Sequence, residues 1–157
     1  MEIKIMLAAA IFFGGWLWFY LFMRQLFFNY MTAYPLMRRM RNLDPDLIAI
    51  GANRYTTIST VFCAIASLII LAVIIRFCPL YLKISFSVGA ILCCIMLLPK
   101  LSYRNRTMFD SFCAAYCRFV PDDSLRTAMY NKDVKAMNRR LREMDFGESF
   151  IPEFHDK

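Results

Sequence analysis

The residues able to do chemistry in this chain are few. There are six cysteines and a single histidine, His155. Cys113 and Cys117 stand four apart, so on a helix both face one side. Two thiolates could hold a soft metal, but a closed zinc site needs about four ligands. His155 lies far along the chain and Asp110 is a poor third ligand, so these thiols read as small packed residues and no metal site is expected. The pair Asp122-Asp123 follows Pro121 and precedes a helical pattern, which fits capping better than metal-assisted catalysis. With its one histidine near the end of the chain, a Ser-His or Cys-His nucleophile is implausible. There is no glycine-rich phosphate loop. The five glycines are scattered, apart from a pair at 14 and 15. The expectation is a protein without catalytic residues and without a bound cofactor.

The elements that carry these residues are dominated by three apolar runs, at about 5–23, 57–75 and 80–98. The middle one, TISTVFCAIASLIILAVII, holds no charge, proline or glycine. As a helix its nineteen residues would be about 28 Å long, close to the hydrocarbon thickness of a bilayer. Hydrophobic residues make up 59% of the chain, above the 45–50% usual for soluble domains. The expected fold class is therefore all-α: a small polytopic membrane protein with three transmembrane helices. No Asp, Glu, His or Arg falls inside the three cores, and Lys83 is peripheral, which argues against a proton relay or a mid-membrane ion site. Without intramembrane histidines, bis-histidine haem binding is excluded.

Charge sets the expected orientation. The net charge is +7. Only Lys4 is basic before the first run, and only Arg76 and Lys83 lie around the second connection. Arg24, Arg38, Arg39, Arg41 and Arg54 fill the 24–56 loop, and eleven basic residues follow position 99. The positive-inside rule puts the N-terminus outside, and the 24–56 loop and the C-terminal part in the cytoplasm. A cleaved signal peptide fits poorly, because the first run is long and aromatic residues, not a small-residue cleavage site, follow it. The expected location is a bacterial cytoplasmic membrane, crossed several times.

Residues 1–99 then form the three-span region with its 24–56 loop, residues 100–147 a cytoplasmic juxtamembrane and two-helix extension, and 148–157 a mobile tail. Ala10 and Gly14 make a small-xxx-small pair in span one, with Gly15 widening the flat patch. Ser59, Cys63 and Ser67 recur every fourth residue in span two, and Ser85, Gly89 and Cys93 do so in span three. Small faces let helices approach closely in lipid. The short connection between spans two and three predicts that their two small faces meet. Tyr34-Pro35 is expected to end the first helix near Ala33. Pro35–Asn42 should then form an amphipathic turn or two, with Arg38, Arg39 and Arg41 toward the membrane surface. Asp44-Pro45-Asp46 reads as a helix start leading toward span two, with Gly51 as a kink or a close approach. In the extension, a helix over 103–119 aligns Phe109, Phe112 and Tyr116. A second falls over 124–130, and a third, ending near Phe146 before Gly147, aligns Val134, Met137, Leu141 and Met144.

That extension is too short to bury a full core alone, so its apolar stripes are expected to dock on the membrane surface, on the 24–56 loop or on a partner. The leading expectation is a non-catalytic accessory subunit, anchor or adaptor acting through its cytoplasmic helices. Its partners would be the lipid bilayer and another membrane protein or further copies of itself. A channel- or transporter-like homo-oligomer is the alternative, and an enzyme using Cys113 or Cys117 a more distant one. From Asp110 onward nine acidic residues offset the basic ones, so no nucleic-acid partner is expected.

Overall fold

A computed structural model describes residues 2–102 and 104–144. Helical backbone runs through α1 (Glu2–Trp18), a five-residue π segment Phe19–Met23, α2 (Arg24–Phe28), a second π segment Asn29–Ala33, and α3 (Tyr34–Leu43). After a 3-10 turn at Pro45–Leu47 come α4 (Ile50–Phe77) and α5 (Leu80–Leu97). The last helices are α6 (Arg106–Tyr116), α7 (Asp123–Tyr130) and α8 (Val134–Glu143). Among the described residues there is no strand. Three helical runs, Glu2–Asn42, Ile50–Phe77 and Leu80–Lys100, are long and apolar enough to cross a membrane. The expected helix end at Phe146, the Gly147 stop, the 148–157 tail, His155 and the first residue of the 103–119 helix lie outside the described residues.

Two compact units are present, one drawn from Met1–Asn29 and Ile58–Leu101, the other from Tyr30–Thr57 and Ser102–Lys157. In the first, the closest packing joins α1 to α5. Gly15 and Gly89 make it possible. A Cβ on Gly15 would overlap the backbone carbonyl of Phe86, and one on Gly89 would overlap that of Phe12. The contacts advance in step along both helices, from Gly15 at Phe86 to Phe19, which clusters with Ala90 and Cys93, so the two run parallel. Trp16, Trp18, Met23, Phe27, Cys94 and Leu97 complete that cluster. The expected meeting of the Gly89 face with span two is therefore corrected: Gly89 lies on span one. A short connection makes α4 and α5 neighbours in sequence, but the closest approach forms where two glycines can interlock. The Ala10/Gly14 pair is corrected as well. Both are exposed, nothing comes within 4 Å of a Cβ at Gly14, and Gly15 is the contact residue. The outer faces are apolar and exposed, as at Phe13, Ile58, Phe62, Leu68, Ile84 and Ile95.

The second unit has an interior of its own. Leu36, Met40, Phe109, Phe112, Tyr116, Leu125, Met129, Met137 and Leu141 are all buried. Helix α7 packs on both α6 and α8. The helix starts are capped by side chains: Asn105 accepts from Thr107 N–H, Asp122 from Leu125 N–H and Asp133 from Ala136 N–H. Each satisfies a first-turn donor that the helix itself leaves unpaired. The α7–α8 turn is completed by Lys132, whose φ of 57° lies in the left-handed region.

Two local expectations are overturned. Helix does not end near Ala33 but continues across Pro35 to Leu43. A proline inside a helix removes one hydrogen bond and crowds the preceding turn. The π segment at Asn29–Ala33 lies immediately before it, where a widened turn relieves that crowding. The Asp44-Pro45 start yields only a 3-10 turn, with Asp44 accepting from Asp46 N–H at 2.9 Å. Helix resumes at Ile50 and passes Gly51, where a Cβ would come within 3.1 Å of the Phe119 ring.

The α1–α5 contact is between backbones, which cannot yield as flexible side chains do. Gly15→Ala and Gly89→Ala should each destabilise the protein by about 1–3 kcal/mol, the usual scale of overpacking. Gly14→Ala, facing open space, should cost nothing measurable. Thermal unfolding of the three variants in one detergent checks the contrast.

Candidate functional site

Polar groups collect in three places. The first is in the unit holding the long apolar helices. Asn29, at 0% exposure, donates through its amide to Ser59 Oγ at 3.0 Å and to Thr60 Oγ1 at 2.9 Å. Its oxygen accepts from Gln25 Nε2 at 3.0 Å. A single amide thus ties the first helical run to α4, with both of its donors used. Ser59, expected only as a small packing residue, is an acceptor here. Cys63 and Ser67 further along α4 are buried, as is Cys93 on α5, while Ser85 is half-buried. Asn29 and Gln25 escape the sequence reading because the first span was closed at Met23. The available signal was a lone Asn in the apolar helical stretch LFFNYM.

The second place is the core of the other unit. Thr56 Oγ1 lies 2.9 Å from the Ala52 carbonyl and 2.5 Å from the Tyr116 hydroxyl. Thr56 has one proton to give, and the carbonyl can only accept. Tyr116 therefore donates to Thr56, which donates to Ala52. The Tyr116 ring stacks on Phe112, with centroids 4.8 Å apart, and meets Tyr55 edge-on at 6.2 Å. Ala49 N–H donates to the Phe119 carbonyl at 2.8 Å. Asp122, besides capping α7, takes Arg140 Nη2 at 2.7 Å, and that guanidinium holds its carboxyl below the usual range.

These contacts change the standing of the surface candidates. Phe109, Phe112, Tyr116, Met137 and Leu141 are buried, and Val134 and Met144 are half-buried. These stripes face the interior of their unit. Of the three docking options, the loop is the one taken at the end of α6, where Tyr55 and Thr56 meet Tyr116, while α8 packs on α7.

The third place is open. A cavity of about 390 Å³ is lined by Tyr34, Met37, Arg38, Arg41, Ile48, Asn53 and Thr57. A second, of about 410 Å³, shares Tyr34 and Arg38 with it and adds Tyr30, Pro35, Arg39 and Asn42. No carboxylate lines either cavity.

Among the described residues, no three His, Cys, Asp or Glu side chains converge as metal ligands. Cys113 is buried, and burial pushes its thiol up to about 12, with the Asp110 carboxylate adding to the shift. A thiol held protonated is a poor nucleophile. Tyr116 is also raised, chiefly by burial. No protein-family model, curated protein or solved structure matches the chain.

Two outcomes follow. Asn29→Leu removes the donor of Ser59 and Thr60 and should lower stability in detergent by about 1–2 kcal/mol, the scale of interhelical hydrogen bonds in apolar surroundings. Gln25→Leu, which leaves both donated bonds in place, should cost less. The Cys113 shift carries its own sign. Its folded pKa stands above the ordinary value of 9.0, so the stability it contributes is whole below that value and is lost as pH rises toward about 12. Chemical unfolding across that window should show a decline that Cys113→Ala makes shallower. At about pH 8 alkylation should modify the half-exposed Cys117 well before Cys113.

Proposed function

We propose that this chain is a non-catalytic integral membrane protein that works as an anchor or adaptor. Its N-terminus lies outside, and its folded helical unit is presented at the cytoplasmic face of the membrane. The observation that carries this reading is that the arginine-rich segments, Tyr30–Thr57 and the residues after Ser102, belong to one compact unit. By the positive-inside rule both segments stay with the cytosol. The exposed apolar faces of α1, α4 and α5 support insertion, since a soluble monomer seldom carries apolar patches of that extent. A bacterial cytoplasmic membrane suits the charge bias.

An adaptor must offer a surface, and here that surface is the polar exterior of α7 and α8. Tyr130, at the end of α7, is 74% exposed. Around it the open face carries Asp123, Ser124, Thr127, Asn131, Asp133 and Arg139. We infer this over a pore-forming oligomer because Asn29 turns the Ser59 and Thr60 hydroxyls into internal acceptors, leaving them less to offer a water-filled path.

The test is site-specific photo-crosslinking in the native membrane. A crosslinker at Tyr130 or Arg139 should trap a distinct membrane protein that also co-purifies in fixed stoichiometry, and one at the buried Met137 should trap nothing. Recovery as a lone monomer, with no crosslink from either exposed position, would refute the adaptor reading.

A further inference from the structure

The two open cavities flanking Tyr34 and Arg38 belong to neither the core of their unit nor the α7–α8 face. Arg38 and Arg41 stand three residues apart on α3, hence on one helix face. Both are exposed, and among the described residues neither meets a carboxylate. Two unneutralised guanidiniums that close repel each other, so the arrangement gains from an anion between them. The other polar residues lining the cavity are uncharged: Tyr34, one turn before Arg38 on α3, and Asn53 and Thr57 on α4. Met37 and Ile48 supply an apolar wall. Guanidiniums match the planar, paired oxygens of phosphate better than any other side chain does. Asn and Thr would complete the donor set, and the apolar wall would accept the first carbons of an esterified group. At about 390 Å³ the space suits a small polar group and not a macromolecule.

Position decides what bears the phosphate. Thr57 opens the apolar run 57–75 of α4, so the cavity lies where that helix leaves its apolar stretch. There a headgroup phosphate is held at high local concentration next to the two arginines. We propose that the cavity lined by Tyr34, Arg38, Arg41, Asn53 and Thr57 is a binding site for the phosphate of an anionic phospholipid headgroup of the cytoplasmic leaflet. The site rests on the orientation proposed above. It differs from a general basic surface in being saturable, because a diffuse charge cluster binds lipid in proportion to charge alone.

The experiment uses the purified full chain in a zwitterionic detergent, titrated with dioctanoyl phosphatidylglycerol, dioctanoyl phosphatidylcholine or inorganic phosphate and followed by thermal unfolding. The expected result is a saturable rise in Tm with phosphatidylglycerol and at least a tenfold weaker response to the other two. Arg38→Gln with Arg41→Gln should weaken the apparent affinity at least tenfold while leaving the lipid-free Tm unchanged, since both side chains are exposed. Arg139→Gln with Arg142→Gln, which removes the same charge from α8, should leave the response intact. Equal losses in the two double variants would reduce the effect to bulk charge and overturn the site. An equal response to inorganic phosphate would overturn the lipid assignment in favour of a soluble anion. Failure of the orientation reading is seen separately: an impermeant maleimide would then label Cys117, not Cys78, from outside sealed cells.

Discussion

A tyrosine hydroxyl taken out of water must find an acceptor, and for Tyr116 that acceptor is Thr56. Tyr116 is wholly buried, and its hydroxyl meets Thr56, whose own proton goes to the Ala52 carbonyl. Leaving that hydroxyl unpaired would cost about 1–3 kcal/mol. The core of the second unit therefore closes only when the first turns of α4 lie against the end of α6. The ring contacts of Tyr55 with Tyr116 and Phe119, and the bond from Ala49 N–H to the Phe119 carbonyl, are made in the same act. A segment that looks like a connecting loop becomes a wall of the structure against the end of α6, and the apolar residues of α6 and α8 are buried within the unit.

The other unit is held together by different means. Its helices are long and apolar enough to cross a membrane, and in lipid apolar burial would contribute little, because hydrocarbon is as good a neighbour as leucine. What remains is shape and hydrogen bonding. Gly15 and Gly89 bring two backbones within touching distance, and Asn29 joins two helices through two hydrogen bonds, to Ser59 and Thr60. Neither device would be economical in a water-exposed bundle, where a leucine seam does the same task. The second unit shows the opposite pattern, with large apolar side chains inside, capping carboxylates at the helix starts and an ion pair between Asp122 and Arg140.

Features governed by local chemistry could be read from the chain. Asp122 caps a helix, as its place after Pro121 and before a helical pattern suggests, because unpaired first-turn N–H groups determine this. The helical faces of Phe109, Phe112 and Tyr116 were equally legible, since periodicity reports which side is apolar. It does not report what covers that side, so membrane surface, loop and partner all remain open from the sequence. Pro35 misled for a related reason. A proline's local preference is to stop a helix, and only the π segment before it, which depends on the whole run, let the helix continue. Gly14 and Gly15 are adjacent, yet about 100° apart around the axis, as 3.6 residues per turn requires. Spacing rules favoured one, and the partner helix selected the other.

Once the apolar stripes are inside, what the second unit shows to its surroundings is charge. Arg38 and Arg41 project from α3, while Lys135, Arg139 and Arg142 project from α8. Recognition through such a surface is long-ranged, acts over about a Debye length and weakens with salt. It cannot be selective by charge alone, because every anionic surface satisfies a scattered cation. Selectivity needs concavity and oriented neutral donors, which Tyr34, Asn53 and Thr57 provide beside Arg38 and Arg41. On the exterior of α8, Arg139 shares its hollow with Asp123 and Asp133, which offset its charge toward an anion. On the proposed reading the chain separates two tasks that its composition blurs: general attraction to an anionic surface, and the particular group that one cavity would hold.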